Sequence, residues 1–285
     1  MKTNPRIEKI KSILACPSCC VKLDCQQNYF LCASCQKQYP IRDGKLYFID
    51  VPTYEDTLDS IKGKLKKWLG KYYYSIGVNV IAPTYPFNYL AELKKRISLT
   101  EKIVVDVGCG NHRIDNNIIC MDMFDYDVVD IICDIEKLPF LPGSVDMFAS
   151  RSVIEHIPYP NKLIEKIHQC TKLGGYSVHS VPFLFPFHAS PYDFQRYTHK
   201  GLDILFAGWE KIEQFNVTGP ITHFLASITE FFSILFSFGN RRLQSMLYFG
   251  LCLLLFPLKY LDWFFVRSER YYSLASTFLM VAQKK

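Results

Sequence analysis

The sequence Ile-Val-Val-Asp-Val-Gly-Cys-Gly at residues 103–110 is the strongest indication of a fold in this chain. A short run of β-branched apolar residues predicts a strand that is buried on both faces, as in a parallel sheet. The glycines that follow predict a tight turn at which the backbone approaches a ligand closely. Asp106 lies within this stretch, where its carboxylate can accept hydrogen bonds from a hydroxyl or cationic group of that ligand.

Strand and helix patterns alternate along the chain after this stretch. Such alternation predicts a doubly wound α/β domain. The connection after Gly110 is too short for the usual crossover helix, since a crossover needs about a dozen residues or more. The further predicted strands are 118–122, 129–133, 145–150, 175–181, 210–217 and 276–283, and the predicted helices are 160–172 and 199–207.

Four of the eleven cysteines form two Cys-x-x-Cys pairs near the N-terminus. Tetrahedral zinc needs four soft ligands, and two such turns supply them. A closed shell of four thiolates leaves no open coordination position, so the zinc ion is predicted to be structural rather than catalytic. Cys20 and Cys25 fall outside the ligand spacing. The predicted ligands are Cys16, Cys19, Cys32 and Cys35.

The other cysteines are scattered singly through apolar segments, as at Cys133, Cys170 and Cys252. This distribution is typical of free thiols in a reducing compartment. The N-terminal residues carry charges without an apolar run behind them, so no signal peptide is predicted. These features predict a cytoplasmic protein.

The segment from residue 12 to residue 50 resembles a family of small zinc-ribbon proteins that activate methyltransferases of tRNA, rRNA and protein. In that family the second cysteine pair leads into Tyr-Pro-Ile and then into an Asp-Gly turn. This chain has the same order at residues 39–41 and at Asp43 and Gly44. The resemblance implies that residues 1–50 form a zinc ribbon.

A series of motifs follows the glycine turn in a fixed order. Asp122 ends the next predicted strand, and Asp134 opens the segment Asp-Ile-Glu-Lys-Leu-Pro-Phe. Gly-Ser-Val-Asp-Met-Phe follows at residues 143–148, and Val-Ile-Glu-His-Ile-Pro at residues 153–158. Together the motifs resemble the Rossmann-like S-adenosylmethionine-dependent methyltransferases of the type 11 group, over residues 103–217.

This resemblance implies a binding site for S-adenosylmethionine at the ends of the predicted strands. One departure is His112, which stands where the family often has a third glycine. Together with the short connection after Gly110, it leaves a non-catalytic domain open as an alternative. The implied contacts are Asp106, Gly108 and Gly110 beside the methionine part, Asp122 at the ribose, and Asp134 with Ile135 at the adenine.

The acceptor side is predicted in the string HASPYDFQRYT at residues 188–198. It resembles a segment of methyltransferases from polysaccharide and surface-glycan gene clusters. In that interpretation His188 acts as a base, Asp193 orients it, and Arg196 clamps an anionic group. A structural alternative stays open, in which Arg196 pairs with Asp193 and Thr198 caps the following helix.

An apolar insert occupies residues 219–269, before the last predicted strand. Pro257, Lys259 and Asp262 interrupt its longer apolar run, and arginines flank it. A single membrane span is excluded if both ends of the insert return to the same sheet. A re-entrant hairpin of two helices and a pair of helices in the membrane plane both remain open. Association with the membrane surface is favoured over the alternatives, which are a helical lid and a dimer surface.

These features predict an enzyme in three parts: a zinc ribbon at 1–50, a linker and helical cap at 51–100, and a methyltransferase domain at 101–285. We expect it to use S-adenosylmethionine and a structural zinc ion. Its predicted acceptor is a glycan, a lipid-linked sugar or another small molecule at the inner face of the cytoplasmic membrane. The net charge of +6 and the basic stretch at 62–71 permit an RNA methyltransferase as an alternative. A zinc-ribbon adaptor without activity is the non-enzymatic alternative.

Overall fold

The computed structural model describes residues 4–52, 80–188 and 192–285. The basic stretch at 62–71 lies outside these residues. In the N-terminal part, the turn between the last two strands has positive φ angles at Asp43 (49°) and Gly44 (76°), as a tight hairpin of this kind requires. This part contains helix α1, Pro5–Ile10, and strands β1, Asp24–Cys25, β2, Tyr29–Leu31, β3, Gln38–Arg42, and β4, Lys45–Tyr47.

The remaining elements follow the predicted alternation of strands and helices. Between the last two strands the chain also forms two 3-10 segments, Phe256–Phe264 and Glu269–Leu274. The elements in chain order are α2, Tyr89–Lys94; β5, Val104–Val107; β6, Ile119–Asp122; β7, Ile131–Ile132; β8, Val145–Arg151; α3, Pro160–Cys170; β9, Thr171–Pro182; α4, His199–Leu205; β10, Glu210–Thr218; α5, Pro220–Leu235; α6, Arg241–Leu255; and β11, Thr277–Gln283.

The strands form one eleven-stranded sheet in the order β1-β2-β3-β4-β7-β6-β5-β8-β9-β11-β10. The run from β4 to β9 is parallel, and the pairs at both ends are antiparallel. The chain winds from β5 toward β7 and then returns to β8 on the other side of β5. This point of reversal is where α/β sheets bind ligands, beyond the carboxyl ends of the strands. The predicted doubly wound fold is confirmed.

Apolar side chains of the central strands fill cores on both faces of the sheet. Along β5, Val105 and Val107 belong to one core, and Val104 belongs to the other. On α3, Leu163, Ile164 and Ile167 are buried at helical spacing. This alternation fixes which face each strand residue occupies, because a shift by one residue would reverse it.

The chain crosses from β5 to β6 without a helix, as the short connection predicted. The guanidinium of Arg113 holds this crossing in place. It pairs with Asp130 and donates to the carbonyl of Ile118 at 2.7 Å. The buried carboxylate of Asp130 also accepts from Asn4 and Arg6, both at 2.9 Å. One carboxylate therefore ties the N-terminal segment to the central sheet.

The N-terminal ribbon continues the central sheet, which the sequence did not predict. Strand β4 lies parallel to β7, with Leu46 opposite Ile131 and Tyr47 opposite Ile132. The amide of Phe48 extends this ladder by donating to the carbonyl of Ile132 at 2.8 Å. Ribbon and sheet also share a core, which contains the ribbon side chains Ile10, Leu14, Phe30, Tyr39 and Leu46.

The apolar insert lies between β10 and β11, as predicted. Helices α5 and α6 pack against each other, and the buried Asp262 fastens the start of α5. The Asp262 carboxylate accepts from the amides of Gly219, Ile221 and Thr222 at 3.0, 2.9 and 2.8 Å. In the described part of the chain, residues 241–264 form the one helical stretch that is long and apolar enough to cross a membrane. Only 17% of its most apolar window is buried.

Candidate cofactor and acceptor site

The four predicted zinc ligands converge at the tip of the N-terminal ribbon. Their sulfur atoms lie within 4.8 Å of one another, and Cys16 Sγ is 3.8 Å from Cys35 Sγ. Zinc–sulfur bonds of about 2.3 Å in a tetrahedron place the sulfurs about 3.8 Å apart. The cluster therefore fits one zinc ion in a closed four-thiolate shell.

Tyr39 supports this cluster from the buried side. Its hydroxyl lies 3.1 Å from Cys16 Sγ, within hydrogen-bond distance. Burial by itself raises the pKa of Cys16, but the hydroxyl of Tyr39 and nearby backbone amides lower it to about 6. A thiol that ionises this readily is suited to metal binding, since the thiolate is the ligand.

At the carboxyl end of β5, the glycine turn passes close to the segment after β8. Gly108 has a φ of 66°, and a Cβ atom there would lie 2.6 Å from a methyl group of Val153. Gly110 also has a positive φ, 58°. A side chain at Gly108 would clash with the segment after β8, so the close approach of these two loops requires glycine.

Asp106 points into this turn as a buried carboxylate. Within the described residues, neither of its oxygens has a hydrogen-bond partner. The guanidinium of Arg151, at the end of β8, lies 3.8 Å away. Burial raises the pKa of Asp106 to about 7, although Arg151 opposes this shift. A buried carboxylate without a donor is costly, so the arrangement fits a ligand that brings donors of its own.

Asp122 ends the neighbouring strand β6 and faces the same turn. Its carboxylate accepts from the amide of Gly110 at 2.8 Å and from the amide of Phe124 at 3.0 Å. Each carboxylate oxygen has a second lone pair, so two hydroxyl donors can still be accepted. Burial raises the pKa of Asp122 above its usual value, and the two amides partly offset this.

Asp134 and Ile135 follow β7, at the same edge of the sheet as the two other acids. The carboxylate of Asp134 accepts from the amide of Glu136 at 3.0 Å and lies 3.3 Å from Lys137. Ile135 is partly buried against the core. The structure thus brings the six predicted cofactor residues to neighbouring strand ends. Their individual contacts with a cofactor stay predictions.

The predicted acceptor residues lie in the loop after β9. The backbone amide of His188 donates to Asp193 at 2.9 Å, and the His188 ring lies 3.6 Å from both Asp193 and Glu155. Burial by itself lowers the pKa of His188, but the Glu155 and Asp193 carboxylates outweigh it and raise the pKa above its usual value. The structure therefore brings His188 and Asp193 together, as predicted.

The guanidinium of Arg196 forms its hydrogen bonds with residues of this same loop. It binds both carboxylate oxygens of Asp193 and donates to the carbonyls of Phe185, Pro186 and Gln195. These contacts engage all five N–H groups of an arginine. The geometry favours the structural alternative, in which Arg196 pairs with Asp193 and shapes the loop. A role as a clamp for an anionic acceptor stays a prediction.

Three residues at this edge were not predicted as site residues. Arg151 faces Asp106, and Glu155 and His156 lie in a 3-10 turn, Ile154–His156, directly after β8. The ring of His156 packs against the ring of His188 with centroids 5.1 Å apart. The sequence signal was present, because an acid and a histidine stand side by side after a strand, where α/β sheets bind ligands.

One protein-family model matches the central part of the chain. Residues 105–179 match a family model described as a methyltransferase domain. This match contains β5 to β8 and most of β9, and therefore the glycine turn, Asp122 and Glu155. No curated protein matches the sequence significantly.

A search of solved structures finds several that are similar to this chain. A phosphoethanolamine N-methyltransferase 2 of Haemonchus contortus with bound S-adenosyl-L-methionine gives a TM-score of 0.50 at 18% identity, over 87% of this chain and 62% of that chain. The cyclase SpnF gives 0.48 at 16% identity, over 82% and 98%. A geranyl diphosphate C-methyltransferase of Streptomyces coelicolor gives 0.42 at 14% identity, over 68% and 74%.

At these identities the similarity concerns the fold alone, and this chain spans less than two thirds of the length of the Haemonchus contortus chain. The family match adds the identity of the central segment. Residues 105–179 therefore match a methyltransferase domain, and the chain has the Rossmann-like fold of solved S-adenosylmethionine-dependent methyltransferases.

Proposed function

We propose that this protein is an active methyltransferase that uses S-adenosylmethionine. The observation that carries the proposal is the buried Asp106 carboxylate, which has no hydrogen-bond donor among the described residues. It lies beside Gly108, where a Cβ atom would clash, at the reversal point of the sheet. A cofactor with an ammonium group and ribose hydroxyls supplies the donors that these acids need.

In this proposal, different residues of the chain bind different parts of the cofactor. Asp106 accepts from the methionine part, Asp122 accepts from the ribose, and the segment beginning at Asp134 flanks the adenine. When bound, S-adenosylmethionine supplies a methyl group on a sulfonium for in-line displacement. Holding the acceptor in line with that methyl group accounts for most of the catalysis that binding can provide. In this proposal the acceptor lies beside the loop at residues 183–188, beyond β9.

Replacing Asp122 with alanine tests the cofactor site. We expect Asp122→Ala to weaken S-adenosylmethionine binding by about 1–3 kcal/mol, because ribose hydroxyls would lose a buried acceptor. Isothermal titration calorimetry measures the change directly. Asp125→Ala is the matched control, because Asp125 lies three residues away and pairs with Lys45 in the ribbon. Equal affinities of Asp122→Ala and the unmodified protein would show that the ribose contact is misassigned.

We further propose that the enzyme acts on a glycan or lipid-linked acceptor at the inner face of the cytoplasmic membrane. The support is a broad apolar surface on the insert, which we call the apolar helical face. Arg241 and Arg242 are exposed at the start of α6, where they can bind anionic lipid headgroups. Large exposed side chains of this face are Phe231, Phe238, Met246, Leu254 and Trp263.

The insert can reach a membrane without crossing it. Its two ends join β10 and β11, which pair antiparallel along their length. Both ends therefore stay at one edge of the sheet, and a single span is excluded. An in-plane arrangement buries the apolar helical face in the headgroup region and leaves the arginines among the headgroups. It also brings the catalytic sheet to an acceptor that is held in the membrane.

Charges placed on the apolar helical face test the membrane proposal. We expect the unmodified protein to sediment with vesicles of phosphatidylcholine and phosphatidylglycerol. The double variant Leu254→Glu/Trp263→Glu should bind at least about tenfold more weakly, because burying each side chain contributes about 1.5–3 kcal/mol. The matched control is Leu173→Glu/Ile204→Glu, at two residues outside the insert that are both 78% exposed.

Three other outcomes contradict membrane binding. Unmodified protein that stays in the supernatant has no affinity for these vesicles. If it is also a dimer that Leu254→Glu/Trp263→Glu converts to a monomer, the apolar helical face is a subunit interface. Retention of RNA by the unmodified protein in place of vesicles supports an RNA methyltransferase.

A further inference from the structure

Two histidines and a carboxylate converge beyond the carboxyl ends of β8 and β9. Glu155 and His156 come from the 3-10 turn after β8, and His188 comes from the loop after β9. One candidate ligand atom from each residue lies within 4.8 Å of the other two. Glu155 Oε1 is 3.6 Å from His188 Nε2 and 3.7 Å from His156 Nε2.

The proton positions on the two rings follow from their backbone contacts. His156 Nδ1 lies within hydrogen-bond distance of the Tyr192 carbonyl, and His188 Nδ1 lies 3.2 Å from the Pro186 carbonyl. A carbonyl oxygen only accepts, so each Nδ1 carries a proton. In a neutral imidazole the lone pair is then on Nε2. Both Nε2 atoms face Glu155, so two ring lone pairs and a carboxylate point toward one another.

The Glu155 carboxylate and the two Nε2 lone pairs are all hydrogen-bond acceptors, so a cation between them would stabilise their convergence. Glu155 is fully buried, and neither of its oxygens has a hydrogen-bond partner within the described residues. A proton on His188 Nε2 would serve one oxygen of the buried Glu155 carboxylate and would leave the other without a donor. Arg196 is a nearby cation, but its N–H groups are bound to Asp193 and to loop carbonyls, so it donates no hydrogen bond to Glu155.

Metal ions fit the observed spacing. Bonds of about 2.0–2.1 Å in a tetrahedron separate two ligand atoms by about 3.4 Å, close to the two distances from Glu155. Metal-bound histidines usually donate from their second nitrogen to a carbonyl or carboxylate, which fixes the ring. Both histidines show this pattern in the structure. Two imidazoles and one carboxylate suit divalent zinc, iron or cobalt better than calcium or magnesium.

We propose that Glu155, His156 and His188 bind one divalent transition-metal ion. Three protein ligands leave at least one coordination position open, as in catalytic sites and unlike the closed cysteine cluster. Val153, two residues before Glu155, touches the position of Gly108, so the ion lies at the same edge of the sheet as the glycine turn. If the proposed methyltransferase function holds, the open position binds an oxygen of the acceptor.

Titration with Co²⁺ tests the site in the full-length protein with its ribbon zinc in place. We expect the unmodified protein to bind one Co²⁺ by calorimetry, with weak visible absorption and without the intense band of a cobalt thiolate. Glu155→Gln preserves shape and removes the charge, and His188→Ala removes a ring. Each should weaken Co²⁺ binding at least about 100-fold, beyond the 10–100-fold typical of losing an outer contact to a ligand.

His168→Ala is the matched control, because His168 lies on α3 and packs against Trp209. It should bind Co²⁺ as the unmodified protein does. Zinc content near one per chain in every variant shows that the ribbon is intact. Unchanged Co²⁺ affinity in Glu155→Gln and His188→Ala overturns the proposal, as does a thiolate band alone in the unmodified protein. Either outcome would mean that no metal ion binds His188 Nε2, which could then transfer protons as a base. The titration involves no methyl transfer, so it is independent of the proposed activity.

Discussion

Cys32→Ser should abolish stoichiometric zinc binding and destabilise the whole protein. Small zinc domains bind their structural ion with about 10–16 kcal/mol, whereas a typical domain is stable by about 5–15 kcal/mol. The N-terminal ribbon is too small to fold on an apolar core alone. Unfolding of the ribbon should also destabilise the central sheet, because β4 pairs with β7 and because Leu46 and Phe30 belong to the core shared with the sheet.

Elemental analysis and thermal unfolding measure both effects. Cys25→Ser is the control, since Cys25 is exposed and lies outside the four-cysteine cluster. It should retain one zinc ion per chain and unfold at the temperature of the unmodified protein. If the double variant Cys32→Ser/His188→Ala, which also lacks a ligand of the second proposed metal site, still holds one zinc ion, the predicted cysteine ligand set is wrong. A metal-free variant that unfolds at an unchanged temperature would show that the ribbon and the sheet are not coupled.

Asp262→Ala should produce the second large effect, a loss of at least about 3 kcal/mol in the free energy of unfolding. The substitution leaves the amides of Gly219, Ile221 and Thr222 without their acceptor in a buried site. Each orphaned donor costs about 1–3 kcal/mol. The negative charge at the first turn of α5 also interacts favourably with the helix dipole, and this contribution disappears as well.

Urea denaturation followed by circular dichroism gives the free energy of unfolding. Glu269→Ala is the control within the same insert, because Glu269 is acidic and exposed. It should change the free energy by less than about 0.5 kcal/mol, as surface substitutions usually do. Asp262→Asn should fall between the two, since an amide oxygen still accepts. If Asp262→Ala is as stable as Glu269→Ala, the contacts of Asp262 do not hold the insert.

Local patterns in the sequence were sufficient to predict the central sheet. The β-branched run at 103–107, the alternation in 210–217 and the strand-like run at 276–283 predicted the strands that the structure contains as β5, β10 and β11. Local sequence patterns did not predict that the N-terminal ribbon would pack against the central sheet. The pairing of β4 with β7 involves two residues on each strand, about 85 positions apart, and neither short strand carries a signal for its partner.

The site was predictable where a residue follows a strand directly. Asp106 and Asp122 lie at strand ends, so the parallel sheet brings them together whatever the loops do. The contacts of His188 and Arg196 depend on the path of the loop after β9, which no periodic pattern describes. The convergence of Glu155, His156 and His188 escaped prediction for the same reason. It requires the segment after β8 and the loop after β9 to lie in contact, and residue identities alone do not predict that contact.

The two edges of the sheet determine how this protein can aggregate. One edge ends in the two-residue strand β1, and the other is β10, where Lys211 and Glu213 are both held in ion pairs. Short strands and charged residues offer a poor template for strand addition by another chain. Amyloid-like polymerisation therefore has little backbone to start from. Precipitation should begin at the apolar helical face, so mild detergent in the purification buffer protects the protein better than high salt, which strengthens apolar contacts.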